Sequence, residues 1–261
     1  MGNHTHNQKV LVVVTGGTID ARYDPAAPEG TPHDVPVPIA AQDSCIPSAL
    51  EKLGFKQGRD FEIATLPDVR LKDSKFITPH DLDMIVDRVR ADGFTKVMVV
   101  HGTDTMPNSG IYLQEALTKN GLTDVRVVLT GGMYPLNKTP LEESQHPKEE
   151  HWRGLDAAGK PILINVLPHK LDGSMDLANA CDGWLNLKNA MEDVRNPELK
   201  AGVYIRVNPQ SIEIGDGPWH ASMLRKYVVT DAPGTTVGKV LQSGFVVRSA
   251  PATAQEISFN F

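Results

Sequence analysis

Three short segments of the 261-residue chain set threonine beside glycine directly behind an apolar run. They read "TGGTID" from Thr15, "HGTDTM" from His101 and "TGGMYP" from Thr130. A threonine hydroxyl is a poor nucleophile at neutral pH. It attacks a carbonyl only when a neighbouring base or cation takes its proton and donors face the developing oxyanion. Pieces for that chemistry are present: Tyr23 follows Thr18 closely, Asp104 adjoins Thr103, and backbone N–H groups around Gly16, Gly17 and Gly102 can hold an anion or oxyanion. Each feature also has a plainer reading. Gly-Gly behind a strand makes a tight turn, His101 beside a core strand is a satisfied structural histidine, and Asp73 and Ser74 cap a turn before a helix. Neither a phosphate loop nor a G-x-G-x-x-G fingerprint occurs, and no His or Cys pair has metal-ligand spacing, so no metal or organic cofactor is expected.

The elements that would position these groups follow from periodicity. Strand-like runs recur at "KVLVVVT", "FEIATL", "KVMVVH", "VRVVLTG" and "GVYIRV", with helical patterns between several of them, which predicts an α/β fold with a mainly parallel sheet. Parallel strands bring their carboxyl ends to one rim, so Thr18, Thr103, Asp104 and the backbone near Gly132 are expected to converge there. The clearest helix lies in "ITPHDLDMIVDRVRADG": Thr78 caps it, Pro79 suits the first turn, and Leu82, Ile85, Val86 and Val89 form a stripe ending near Gly93. A second stripe, Leu187, Ala190, Met191 and Val194, follows "CDGW". The Pro- and Ala-rich stretch from Pro25 to Pro38 suits a loop closing over the first strand's end, and the charged stretch from Asn137 to Asp176 reads as an excursion from the sheet, a surface loop with one strand.

Composition narrows the partners. At 40% hydrophobic and 22% charged residues the chain can bury a sizeable core, and its formal charge of −6 supplies no basic field for nucleic acid. The N-terminus has no apolar targeting region and no run is long enough to span a membrane, so no membrane partner is expected. Cys45 and Cys181 lie far apart without C-x-x-C spacing, which suggests buried thiols in a reducing compartment, hence a cytoplasmic protein.

"TGGTI" and "HGTDTM" together resemble the bacterial-type L-asparaginase/glutaminase family, and the likeness extends through "DSKFITPHDL", "VVLTGGMYP" and "CDGWLNLKNA", then more weakly from "GVYIRVN" to "VGKVLQSGFVV". The resemblance covers only that family's larger N-terminal domain and implies its fold, a flavodoxin-like three-layer sandwich. Residues 1–261 are then one asparaginase-like domain with an insertion at about 137–176 and without the family's C-terminal domain. It also implies an amidohydrolase that cleaves the side-chain amide of L-asparagine or a related small amide and releases ammonia. By motif position, Thr18 is the nucleophile with Tyr23 as its partner. Thr103 with Asp104 activates water or polarises the amide. Ser74 and Asp104 hold the α-carboxylate and α-ammonium, Gly102 lines the site, and the Gly132 carbonyl meets the leaving nitrogen.

Two departures stand out. Lys75 occupies a position where the two-domain family usually has glutamine, and its charge would repel an α-ammonium nearby. The family's lysine partner of the second threonine is assigned to Lys226, with His220 as the substitute that simple spacing offers. A non-catalytic small-molecule binding module on the same scaffold, or a hydrolase of larger N-substituted amides, are the competing readings. Family members commonly associate, and a dimer through the sheet domain is the expectation.

Overall fold

Val10, Leu11, Val12, Val13 and Val14 form β1 (Val10–Val14), and all five are buried. Burial on both faces marks a strand inside a parallel sheet covered by helices, a setting that suits β-branched side chains. The structure, a computed structural model, describes residues 9–23, 36–38, 40–66, 71–132, 136, 152–155, 161–163, 182–207, 219–220, 224–226 and 245–247. After β1 come β2 (Ala21–Tyr23), β3 (Pro36–Pro38), β4 (Phe61–Thr65), β5 (Lys96–Val100), β6 (Arg126–Thr130), β7 (Trp152–Leu155), β8 (Pro161–Leu163), β9 (Gly202–Arg206), β10 (Trp219–His220), β11 (Leu224–Lys226) and β12 (Phe245–Val247). The α-helices are α1 (Ile46–Lys52), α2 (Pro79–Asp92), α3 (Met106–Lys119) and α4 (Asp182–Arg195).

Six strands make one sheet in the order β10-β9-β6-β5-β1-β4, and every pairing is parallel except β10 with β9. The five runs expected to be strands are the five parallel members of this sheet. The direction of strand addition reverses at β1, with β4 on one side and β5 on the other. This is the flavodoxin-like order, and a crevice opens at such a reversal outside the carboxyl ends of the two diverging strands.

Alternation along the strands feeds two cores. Leu11, Val13, Val97, Val99, Val127 and Leu129 face α2 and α3, whereas Val10, Val12, Val14, Met98, Val100 and Val128 face α1 and α4. Helices on both faces of the sheet give three layers. The connections through α1, α2 and α3 share one hand. The helix of the β6-to-β9 connection, α4, instead lies on the α1 face, although that step runs along the sheet in the same direction as β5 to β6. A connection of the second hand is rare in parallel sheets.

Helix α2 begins and ends where its sequence predicts. Thr78 and Asp81 form a reciprocal capping box, Pro79 occupies the first turn, and Gly93 closes the helix in the left-handed region at φ 70°. Burial works against the Asp81 carboxylate, but hydrogen bonds from Lys72 and Thr78 outweigh it and hold its pKa below the ordinary range. The Pro25–Pro38 loop needs a correction at its end: Pro36–Pro38 is strand β3, antiparallel to β2 with Tyr23 opposite Pro36, and residues 24–35 lie outside the described residues. Within 137–176, β7 and β8 pair antiparallel, so two short strands stand where one was expected; apart from them that stretch lies outside the described residues. Among the described residues no helix is long and apolar enough to cross a membrane.

Candidate active site

At the exit of β1, Thr15 ties two strand ends together. Its Oγ1 donates to the Val100 carbonyl at 2.9 Å and its backbone N–H donates to the same oxygen at 3.0 Å. The chain then passes Gly16 at φ 121° and Gly17 at φ 90°, both in the region that favours glycine. Gly17 N donates to the Lys72 carbonyl at 3.0 Å, and Lys72 N donates back to the Thr15 carbonyl at 2.8 Å. Thr18 opens the 3-10 turn Thr18–Asp20 that follows and is half-buried.

The exit of β5 packs directly on this turn. A Cβ placed on Gly17 would overlap the backbone of Gly102, and one placed on Gly102 would stand 2.7 Å from Ser74 Cβ and 2.8 Å from its Oγ. Both glycines therefore allow an approach that a side chain forbids. Thr105 Oγ1 donates to the Ser74 carbonyl at 2.9 Å, which fixes the Ser74–Phe76 turn against the start of α3. Thr103 is 7% exposed, Ser74 is buried, and Asp104 is exposed. Asp73 caps the turn by accepting from Lys75 N at 3.1 Å, so the plain reading of Asp73 holds while Ser74 also faces Gly102. The Lys75 side chain, 60% exposed, lies 3.6 Å from Asp73 Oδ2.

The exit of β6 joins the same rim through glycines. Gly131 packs on the His101 carbonyl, and its own carbonyl accepts from Asn186 Nδ2 at 2.8 Å. A Cβ on Gly132 would stand 3.0 Å from Gly183 Cα, and one on Gly183 would stand 3.0 Å from Ile19 Cγ1, next to Thr18. The start of α4 is thus wedged between the exits of β1 and β6.

His101 anchors the β5 exit from below. It is wholly buried, its N–H donates to the Thr130 carbonyl at 2.8 Å, and its Nδ1 lies 2.7 Å from the Gly102 carbonyl. A carbonyl only accepts, so Nδ1 carries the proton, while Nε2 has no partner among the described residues. Burial pushes its pKa down to about 4 against smaller opposing effects of the Gly102 hydrogen bond and the Asp73 charge. The imidazole is neutral at physiological pH and is half-satisfied.

Of the residues singled out from sequence, Thr18, Ser74, Gly102 and Thr103 belong to segments in direct contact, Asp104 follows Thr103 on the exposed side, and Gly132 joins through Gly183. Tyr23 ends β2, five residues beyond Thr18. His220 lies on β10 opposite Tyr204 at the edge of the main sheet, and Lys226 lies on β11 opposite Phe245 in a separate two-stranded sheet. Strand β11, which carries Lys226, packs against α3, the helix that begins at Met106, three residues after Thr103. Sequence reasoning missed Lys72 and Gly183, whose backbones join distant segments, Asn186, whose side-chain amide donates to the Gly131 carbonyl, and also Asp20. The only signal for Asp20 was a carboxyl group in an otherwise apolar and glycine-rich strand exit.

A protein-family model described as "Asparaginase, N-terminal" matches residues 9–145. A search of curated proteins gives no match. Among solved structures the chain is similar to L-asparaginase I from Vibrio cholerae, at 19% identity and a TM-score of 0.49, over 85% of this chain and 49% of that one. The chain therefore spans about half the length of that relative. With more than half of its residues inside the family match, and with that match containing the exits of β1, β5 and β6, the chain belongs to the asparaginase family through the N-terminal domain.

Proposed function

We propose that the chain is an amidohydrolase that releases ammonia from the side-chain amide of L-asparagine or a related small amide. One observation carries the reading: within a family-matched domain, Gly17 packs on Gly102 and Gly102 on Ser74, at the reversal of strand order where α/β sheets bind ligands. In this reading Thr18 Oγ1 attacks the amide carbon as its proton passes toward Tyr23. That proton is relayed to the amide nitrogen of the tetrahedral intermediate, which then expels ammonia and leaves an acyl-enzyme on Thr18. Thr103, with Asp104 beside it and Lys226 as its cationic partner, then activates the water that frees the acid. Backbone N–H groups of the Gly16–Gly17 and Gly102 turns serve as oxyanion donors. Ser74 and Asp104 hold the substrate's α-carboxylate and α-ammonium, and the Gly132 carbonyl receives the leaving nitrogen.

Lys75 does not argue against a free amino-acid substrate. Its ammonium is largely exposed and sits beside the Asp73 carboxylate, so solvent and a counter-charge screen it.

The test is ammonia release from L-asparagine, L-glutamine and a panel of small and N-substituted amides. Thr18→Ala and Thr103→Val are each expected to lower kcat/KM by about a thousandfold or more with the fold intact by circular dichroism. Turnover that survives Thr18→Ala overturns the nucleophile assignment. Silence across the panel, with a ligand still raising Tm, makes the chain a binding module.

A further inference from the structure

The 3-10 turn that carries Thr18 ends in a carboxylate with no place in the proposed chemistry. Asp20 is 0% exposed. Its Oδ2 accepts from Ser44 Oγ at 2.5 Å, and its Oδ1 accepts from Cys45 N at 2.9 Å and from the Cys45 thiol at 3.2 Å. Cys45 is half-buried rather than buried and is not in a disulfide. Ser44 Oγ in turn accepts from Ile46 N, the first residue of α1, at 3.2 Å. A carboxylate 24 residues before its partner thus joins the Thr18 turn to the start of a helix.

The same turn is held by a second segment as well. The Ile19 carbonyl accepts from Leu136 N at 3.0 Å, in the segment that follows the β6 exit, and Asp20 N donates to the Gly17 carbonyl at 3.1 Å. Ile19 is itself buried against Gly183. The two residues after Thr18 are therefore tied to two separate parts of the fold, while Thr18 stays half-exposed between them. Burying a carboxylate is costly unless donors meet its oxygens, and an apolar side chain would fill the space at less expense. The carboxylate supplies directed bonds that an apolar residue cannot.

We propose that Asp20 is a positioning residue that aims the Thr18 hydroxyl by bonding its turn to Ser44 and Cys45. This rests on the amidohydrolase reading, since it concerns the nucleophile of that reaction. A misplaced nucleophile lowers the rate of the chemical step while leaving substrate contacts from other segments in place. Here those contacts come from the Ser74 turn and the β5 exit.

The test measures kcat and KM per folded molecule for wild type, Asp20→Ala, Asp20→Asn and Ser44→Ala, with hydrogen exchange followed at the Asp20 and Ala21 amides. Asp20→Ala is expected to lower kcat about thirtyfold with KM within about threefold, and to speed exchange in the Thr18–Asp20 turn. Asp20→Asn keeps the shape and can still bond Cys45 N and Ser44, so kcat is expected within about threefold of wild type. If Asp20→Ala does not fold, Ser44→Ala gives the reading: a fall in kcat of about threefold at constant KM supports the inference, and an unchanged kcat overturns it. Asp20→Ala with wild-type kcat, a kcat loss without faster exchange in the turn, or a loss carried by KM overturns it too. Wild-type protein that releases no ammonia from any amide overturns the amidohydrolase reading and this inference with it. Wild-type turnover with unimpaired variants overturns the inference alone.

Discussion

The exits of β1 and β5 use the same residue types, a glycine followed by a threonine, and are built on different physics. At β1 the backbone itself is unusual, with two successive glycines at positive φ, and the turn is locked by reciprocal hydrogen bonds with Lys72. At β5 Gly102 has no positive φ, and its glycine is required because a Cβ there would run into Ser74. One exit is held from its sides by Lys72 and Asp20. The other is held from below by a buried histidine. A glycine in a motif can thus encode a conformation in one place and a vacancy in another.

The strongest way to break this comparison is Gly17→Ala. The substitution forces a side chain into φ 90° and drives its Cβ into the Gly102 backbone, neither of which can yield. A loss of about 4 kcal/mol is expected from strain plus overpacking, read by chemical denaturation, together with loss of whatever activity the protein has. A stability loss below about 1 kcal/mol would mean that the β1 exit is as adaptable as any surface turn.

His101 supplies the next largest effect, visible only in acid. Its folded pKa of about 4 lies below the unfolded value of 6.5, so between those limits the unfolded chain binds a proton that the folded chain refuses. Stability is therefore unaffected by this group above pH 6.5, falls as the pH drops toward 4, and levels off below, for a total of about 3 kcal/mol. His101→Asn, which puts an amide nitrogen near the place of Nδ1, is expected to remove that part of the acid slope in Tm against pH. An unchanged slope would assign acid sensitivity to other groups.

Gly102→Ala sharpens the contrast at the smallest cost. Its backbone tolerates a side chain, and the obstacle is Ser74, so about 2 kcal/mol is expected. Adding Ser74→Gly, which removes the Cβ and Oγ that the new methyl meets, is expected to restore part of that loss in Gly102→Ala and none of it in Gly17→Ala. Equal rescue in both backgrounds would show that the two exits share one constraint.

Much of this architecture was legible beforehand, and the reason differs by element. Strand burial on both faces leaves continuous apolar runs, so the five parallel strands could be read directly from Val- and Ile-rich segments. The caps of α2 are local chemistry within three residues, and so are visible in "TPHD". β2 and β3 were not: each is only three residues long, and Pro36 and Pro38 read as loop. The hand of the β6-to-β9 connection was equally invisible, because an apolar stripe shows that α4 packs without showing on which side of the sheet.

For the site, sequence alone named candidate residues and predicted that parallel strands would carry Thr18, Thr103, Asp104 and the backbone near Gly132 to one rim. It also carried the family's motifs, because those are contiguous stretches whose meaning does not depend on distance. Only the tertiary structure decided how tightly the rim closes: that Gly17 needs Gly102 and Gly102 needs Ser74, that Gly183 separates Gly132 from Ile19, and that Asp20 reaches Ser44 and Cys45. Those contacts join residues that are remote along the chain. Their partners are set by strand order and helix side, which one-dimensional periodicity does not specify.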